Sequence, residues 1–273
     1  MRLMFATVLM LISVGVAHAQ STLQQNLTAK KPPTYSGNLS LGYNTNLYNP
    51  DTYSSESSIS GDLTFNYRVK DANLIRAYLG GYKETTQGQE WKPNDGFVGW
   101  VNNSFWTRGK KLTIGQQIRA NLPYSKESRD RDTKLLGISV APLVMATLTP
   151  SVMVIYLPQI IKNFHSYKQN RVGSANIEYT TSHTLVGIWS ITDNIYLQPV
   201  AGYSQSWTYD GTRRNPGFSA SGEIGYSFAS GITWGAGWTN AGTFRRFENG
   251  TDQTFELFDN ETSTVYTALY WVF

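Results

Sequence analysis

Strict alternation of apolar and polar residues in several segments, connections that switch between short and long, and a mildly polar, aromatic-rich composition predict an all-β fold. The fold class is a closed antiparallel transmembrane β-barrel of about 12 strands. The 273-residue chain is 14% aromatic, with 17 Tyr, 8 Trp and 24 Gly, and its mean hydropathy is -0.33. A helical membrane protein would be far more apolar. A barrel that sends apolar side chains to lipid and polar ones to a lumen averages to such a value.

Segment 58–69 carries the alternation without a break: Ile59, Gly61, Leu63, Phe65, Tyr67 and Val69 against Ser58, Ser60, Asp62, Thr64, Asn66 and Arg68. Segment 218–228 does the same, with Phe218, Ala220, Gly222, Ile224, Tyr226 and Phe228 opposite Ser219, Ser221, Glu223, Gly225 and Ser227. Segment 112–121 puts Ile114 and Ile118 on one face and Gln117 and Arg119 on the other. Segments 35–48, 232–244 and 265–273 also read as strands, while 73–82 and 97–106 alternate less cleanly.

Short links fall at 70–72, 108–110, 149–151, 192–194 and 229–231, and longer polar ones at 49–56, 84–95, 122–132, 165–171, 209–216 and 246–260. Eleven connections join twelve strands, and the even count puts both ends of the barrel on one side. Segment 135–161 is apolar throughout but contains Pro142, Pro150 and Pro158. Each proline would cost a helix about 3 kcal/mol, so two strands around the turn at 149–151 are expected, with bulges or local distortion at Pro142 and Pro158.

At the amino-terminus, Arg2, the apolar run 3–16 and Ala17-His18-Ala19 have the form of a cleaved signal peptide. The expected organisation is a signal peptide at 1–19, a polar periplasmic tail at 20–33 and a barrel at 34–273. Removing the peptide's single Arg takes the net charge from +4 to +3, too small to argue for nucleic acid. The chain has no Cys, so neither a disulfide framework nor a lipid-modified cysteine is available.

The last strand places Val265, Thr267, Leu269, Trp271 and Phe273 on one face and ends on an aromatic residue. It resembles the closing strand of bacterial outer-membrane β-barrels, and with the loop pattern it makes the chain similar to porin-like, small-solute channels. The resemblance implies residence in the bacterial outer membrane, partnership with its lipids and with the barrel assembly machinery, and passage of small polar solutes. A secreted β-sandwich shares short strands and turn signals, but its connections have no reason to alternate in length. Sequons at Asn26, Asn38, Asn102, Asn249 and Asn260 include two inside predicted strands and are taken as chance.

Inward-facing polar positions supply the candidate pore-lining residues: Asp62, Arg68, Arg76, Tyr78, Arg119, Glu178, Glu223 and Tyr266, with Tyr82 and Tyr270 beside them. Arginines in a pore draw anions and facing carboxylates set up a transverse field. Charges that pair with one another and plug a narrow barrel are the plainer expectation. Hydrolysis needs a base beside a nucleophile, and outside the signal peptide the chain offers only His165 and His183, neither in a recognisable catalytic setting. No enzyme activity, cofactor or metal is expected. A barrel that binds a partner through its outer loops, such as charge-alternating 122–132 or aromatic 246–260, is the alternative to a channel.

Overall fold

The structure, a computed structural model, describes residues 33–48, 54–70, 72–86, 90–109, 111–244 and 263–273. The proposed signal peptide and tail, the tip of loop 49–56 and loop 246–260 lie outside the described residues, apart from Pro33. Among the described residues thirteen strands follow in order: β1 (Tyr35–Asn46), β2 (Ser57–Lys70), β3 (Asn73–Glu84), β4 (Trp91–Pro93), β5 (Gly96–Arg108), β6 (Leu112–Leu122) and β7 (Lys134–Thr149), then β8 (Val152–His165), β9 (Ile177–Ser190), β10 (Ile195–Thr208), β11 (Gly217–Ser227), β12 (Ile232–Thr243) and β13 (Ser263–Val272). Each pairs antiparallel with the next, β3 passing to β5, and β13 returns to β1. Twelve strands thus close a ring, and three-residue β4 is a flap on β3.

Closure removes the sheet edge, so the backbone of each strand finds its partners within the wall. The seam is fixed at its end by Gly37 and Phe273, which exchange backbone bonds of 2.8 and 3.1 Å. A β-carbon on Gly37 would sit 2.3 Å from the Phe273 ring; glycine is what lets that ring lie across the seam.

Alternation appears directly as two faces. Along β2, Ile59, Leu63, Phe65, Tyr67 and Val69 are exposed while Asp62, Thr64 and Asn66 are buried. The exposed set continues round the ring through Leu79, Val98, Ile118, Ile160, Leu185, Ile224 and Leu269, the apolar band a bilayer requires. Aromatics gather in it: Tyr35 meets Phe65 and Tyr67, Trp271 meets Phe273, and Tyr156, His183, Tyr203, Phe244 and Phe218 follow one another from β8 to the end of β12. His183 therefore belongs to the outer belt, where its Nδ1 and the Tyr156 hydroxyl lie 2.7 Å apart.

Tight turns join β2 to β3, β5 to β6, β7 to β8, β9 to β10 and β11 to β12, and the longer links occupy the other end, as the length alternation predicts. Gly109 and Gly231 take the left-handed conformation in two of the turns. The apolar stretch is two strands, β7 and β8. Around its prolines there is no bulge: Val140 pairs with Ile160 and Val144 with Tyr156 in one unbroken register, and the residues between are unpaired.

The expected loops carry structure that the sequence reading lacked. Link 84–95 holds β4, and link 122–132 holds one π-helical turn, Glu127–Arg131. Asp95 pins that turn: its carboxylate accepts from Ser125 N (3.0 Å), Ser125 Oγ (2.7 Å) and Ser128 Oγ (2.6 Å), with Lys134 Nζ at 3.8 Å. Arg129 bonds to Asp130 and holds that carboxyl below its ordinary range. The loop also bonds to its neighbour through Arg171 N to Arg131 O and Asn176 Nδ2 to Asp132 O.

Candidate functional site in the lumen

The inner face is polar over most of the ring, and two groups of charged and aromatic residues organise it. The first spans β2, β3, β5 and β6. Register places Gly99 opposite both Arg76 and Arg119, so the two arginines lie two strands apart, about 10 Å at the usual strand spacing. Gly99 makes this possible, since a β-carbon there would lie 2.9 Å from Arg119 Cγ and 2.6 Å from Ile118 O.

Arg76 Nε donates to Asn66 Oδ1 at 2.7 Å. Arg119 donates from Nε and Nη2 to Gln117 Oε1 at 3.1 and 2.6 Å, and its guanidinium carbon lies 4.2 Å from the centre of the Phe97 ring. Phe97 stacks on Tyr78 with centroids 5.5 Å apart, and the Tyr78 hydroxyl donates to Asp62, which also accepts from Ser40 Oγ at 3.4 Å. Among the described residues neither arginine forms an ion pair with a carboxylate.

Glu223 on β11 centres the second group. Its Oε1 accepts from Tyr196 at 2.7 Å, and its Oε2 from Tyr266 at 3.0 Å and Tyr270 at 2.6 Å. Glu223 is 3% exposed and is bonded from adjacent β10 and, across β12, from β13. By strand order β11 stands six places from β5 in either direction, so the arginine wall and the glutamate wall face each other across the ring.

The expectation that lumenal charges pair with one another is corrected here. This holds for four of the candidates: Arg76 and Arg119 bond to neutral amides, and Asp62 and Glu223 to phenols, each finding a nearer polar neighbour than an opposite charge. Arg68 is separate from the arginine pair: it sits at the short-turn end, where its Nε donates to Pro33 O at 3.3 Å. Glu178 stands at a β-bulge where β9 shifts register against β10, and it pairs with Lys162. Tyr82 lies towards the long-loop end, with Lys92 Nζ 6.0 Å from its ring.

Asn66, Gln117, Phe97 and Tyr196 were not among the sequence candidates. Tyr196 shares its phase with Gln198 and Val200, all buried, and that phase was the available signal. Asn66 lies opposite Arg76 across the tight β2–β3 hairpin, as a turn centred near Asp71 predicts, whereas Gln117 carried no signal for its bond to Arg119 within one strand.

A closed ring of twelve strands with an apolar exterior and a polar, charged interior is a membrane-spanning β-barrel of the bacterial outer-membrane type. No family model matches the chain, and no curated protein matches its sequence. Among solved structures it is similar to the NanC porin, at 9% identity over 86% of this chain and 98% of that one, with a TM-score of 0.56. It is also similar to an outer membrane channel from Pseudomonas putida F1, at 12% identity over 88% and 95% of the two chains, with a TM-score of 0.59.

Proposed function

We propose that the protein is a narrow channel of the bacterial outer membrane for small polar solutes, and that its arginine wall gives it a preference for anions. The observation that carries the reading is the pair Arg76 and Arg119, two guanidiniums on the inner face whose described partners are neutral amides and a ring. Their charge is left for a passing solute. The carboxyls of Asp62 and Glu223 are occupied by hydroxyl donors instead.

Size supports a restricted passage: eight strands leave an interior filled by side chains, sixteen or more leave an aqueous pore, and twelve lies between. The two similar structures are, by name, a porin and an outer membrane channel. On this reading the long loops face outward, the short turns face the periplasm, and the assembly machinery inserts the chain among outer-membrane lipids. Single-channel recording of the refolded protein in a KCl gradient tests it. A small conductance with a reversal potential on the chloride side is expected. Absence of both conductance and solute uptake into proteoliposomes would transfer the function to the outer loops as a binding barrel.

A further inference from the structure

The wall made by β7, β8, β9 and β10 differs from the rest of the ring. Its inner face carries Met145, Ile155, Val186, Ile188 and Val200 as a buried apolar cluster with Leu143, Met153 and Leu157 packed against it. Val186 is 0% exposed. The flanking strands β6 and β11 carry Arg119 and Glu223 inward, so the lumen is divided round its circumference into charged and apolar sectors.

The hydrogen-bond ladder of this apolar sector is open at mid-strand. Between the pairs Val140 with Ile160 and Val144 with Tyr156 the register is constant, so Pro142 stands directly opposite Pro158. Proline has no N–H, and a hydrogen-bonded pair at this position lacks both of its donors. The same register sets Leu143 opposite Leu157 and Ala141 opposite Gln159 on the lumenal side. A second gap lies two strands away, where Gln198 and Pro199 are skipped between Leu197 and Val200 of the β9–β10 ladder. In lipid a barrel wall is held by its interstrand bonds, so the opposed prolines mark where β7 and β8 separate most easily.

We propose that the Pro142–Pro158 seam is a lateral port, through which a small hydrocarbon-bearing molecule exchanges between the bilayer and the apolar cluster inside the barrel. The outer mouth of the seam is flanked by Val140, Tyr156 and Ile160, all exposed on the lipid face. Its inner mouth opens on Leu143 and Leu157, which belong to the cluster. Apolar surface is thus continuous from bilayer to lumen across a stretch of wall without interstrand bonds, and a chain crossing there never meets the charged walls. The route is independent of ion conductance along the axis.

The chain has no cysteine, so a cysteine pair at the seam is unambiguous. Wild-type protein and the Ala141→Cys, Gln159→Cys variant are placed in liposomes with a diazirine-bearing straight-chain alcohol, photolysed, and mapped by mass spectrometry. Wild type is expected to carry label on lumenal Leu143, Met145 and Leu157 as well as on lipid-facing Val140 and Ile160. Oxidation of the pair is expected to abolish the lumenal label while chloride conductance persists, and reduction to restore it. Wild type labelled only on lipid-facing residues overturns the port, and so does lumenal label that survives a disulfide verified by mass, because the probe then enters along the axis. Should the cysteines fail to oxidise, Pro142→Val with Pro158→Val supplies the missing donors. Lumenal label is then expected to fall several-fold, and unchanged label overturns the port.

Discussion

Glu223 can hold three phenols only because the strand between its partners is thin. A β-carbon at Gly235 would lie 2.9 Å from Glu223 Cδ, and one at Gly237 would lie 2.7 Å from the Tyr266 hydroxyl. β12 thereby lets β11 and β13 touch across it. Hydrogen bonds to a charged group contribute about 1.5 to 3 kcal/mol each and neutral ones about 1, so Tyr266→Phe is expected to cost about 1 to 3 kcal/mol of barrel stability in urea titrations of the refolded protein. Gly237→Val, which meets backbone at Gly222 O as well as the phenol, should cost more than Tyr266→Phe. Equal midpoints for both variants and wild type would remove the cluster from any structural role.

At the scale of the element, legibility in sequence follows the regularity of the ladder. β11 was readable because its period of two runs uninterrupted against both neighbours, and β2 and β6 because each keeps an unbroken register against one neighbour, β1 and β7 respectively. β5 was not: its register against β6 shifts by two residues between Asn102 and Trp106, and Gly115 leaves room for the bulged segment, since a β-carbon there would lie 2.5 Å from Asn102 O. The alternation is therefore interrupted within 103–105, although a shift of two returns Trp106 to the exposed phase of Val98. β4 and the π-helical turn are too short for periodicity, and they depend on contacts made by residues distant in sequence. Asp95→Ala removes the acceptor shared by Ser125 and Ser128. Faster amide hydrogen exchange across residues 125–133, with the strands unchanged, is the expected result.

The seam between the first and last strands makes a second elementary prediction. Phe273 lies over Gly37 and bonds to its backbone, whereas Ser227 contributes one hydroxyl contact of 3.1 Å with Thr233. Phe273→Ala and Gly37→Val should each lower the yield of heat-modifiable barrel, as read by gel shift, far more than Ser227→Thr. Similar yields from all three would mean that closure does not depend on this corner.

For the whole molecule, architecture was legible because closure needs only alternating faces and alternating connections, both local properties. The candidate site was legible only in part: the faces of Arg76, Arg119 and Glu223 follow from phase, but their partners follow from register across strands. Orientation is read by labelling intact cells. Val172→Cys, in the exposed β8–β9 loop, should react with an impermeant maleimide and Ser230→Cys, in the β11–β12 turn, should not; the reverse pattern inverts the barrel.

Selectivity is the property that belongs to the ring as a whole, since it depends on which charges face one another across it. A univalent ion about 10 Å from one guanidinium feels about 1.7 kcal/mol at an effective dielectric of about 20, against about 0.4 kcal/mol in bulk water. Arginine facing lipid near the midplane would cost about 2 to 4 kcal/mol, which favours the inward orientation of both side chains. Salt in the recording solution screens part of the field, so the effect should grow as ionic strength falls. Arg76→Gln is expected to move the reversal potential toward cations, and Arg119→Gln to move it the same way, with the double variant further along. Tyr266→Phe should leave it nearly unchanged, because that phenol carries no charge. Reversal potentials that stay fixed in both arginine variants, with conductance intact, would locate the selectivity in the outer loops.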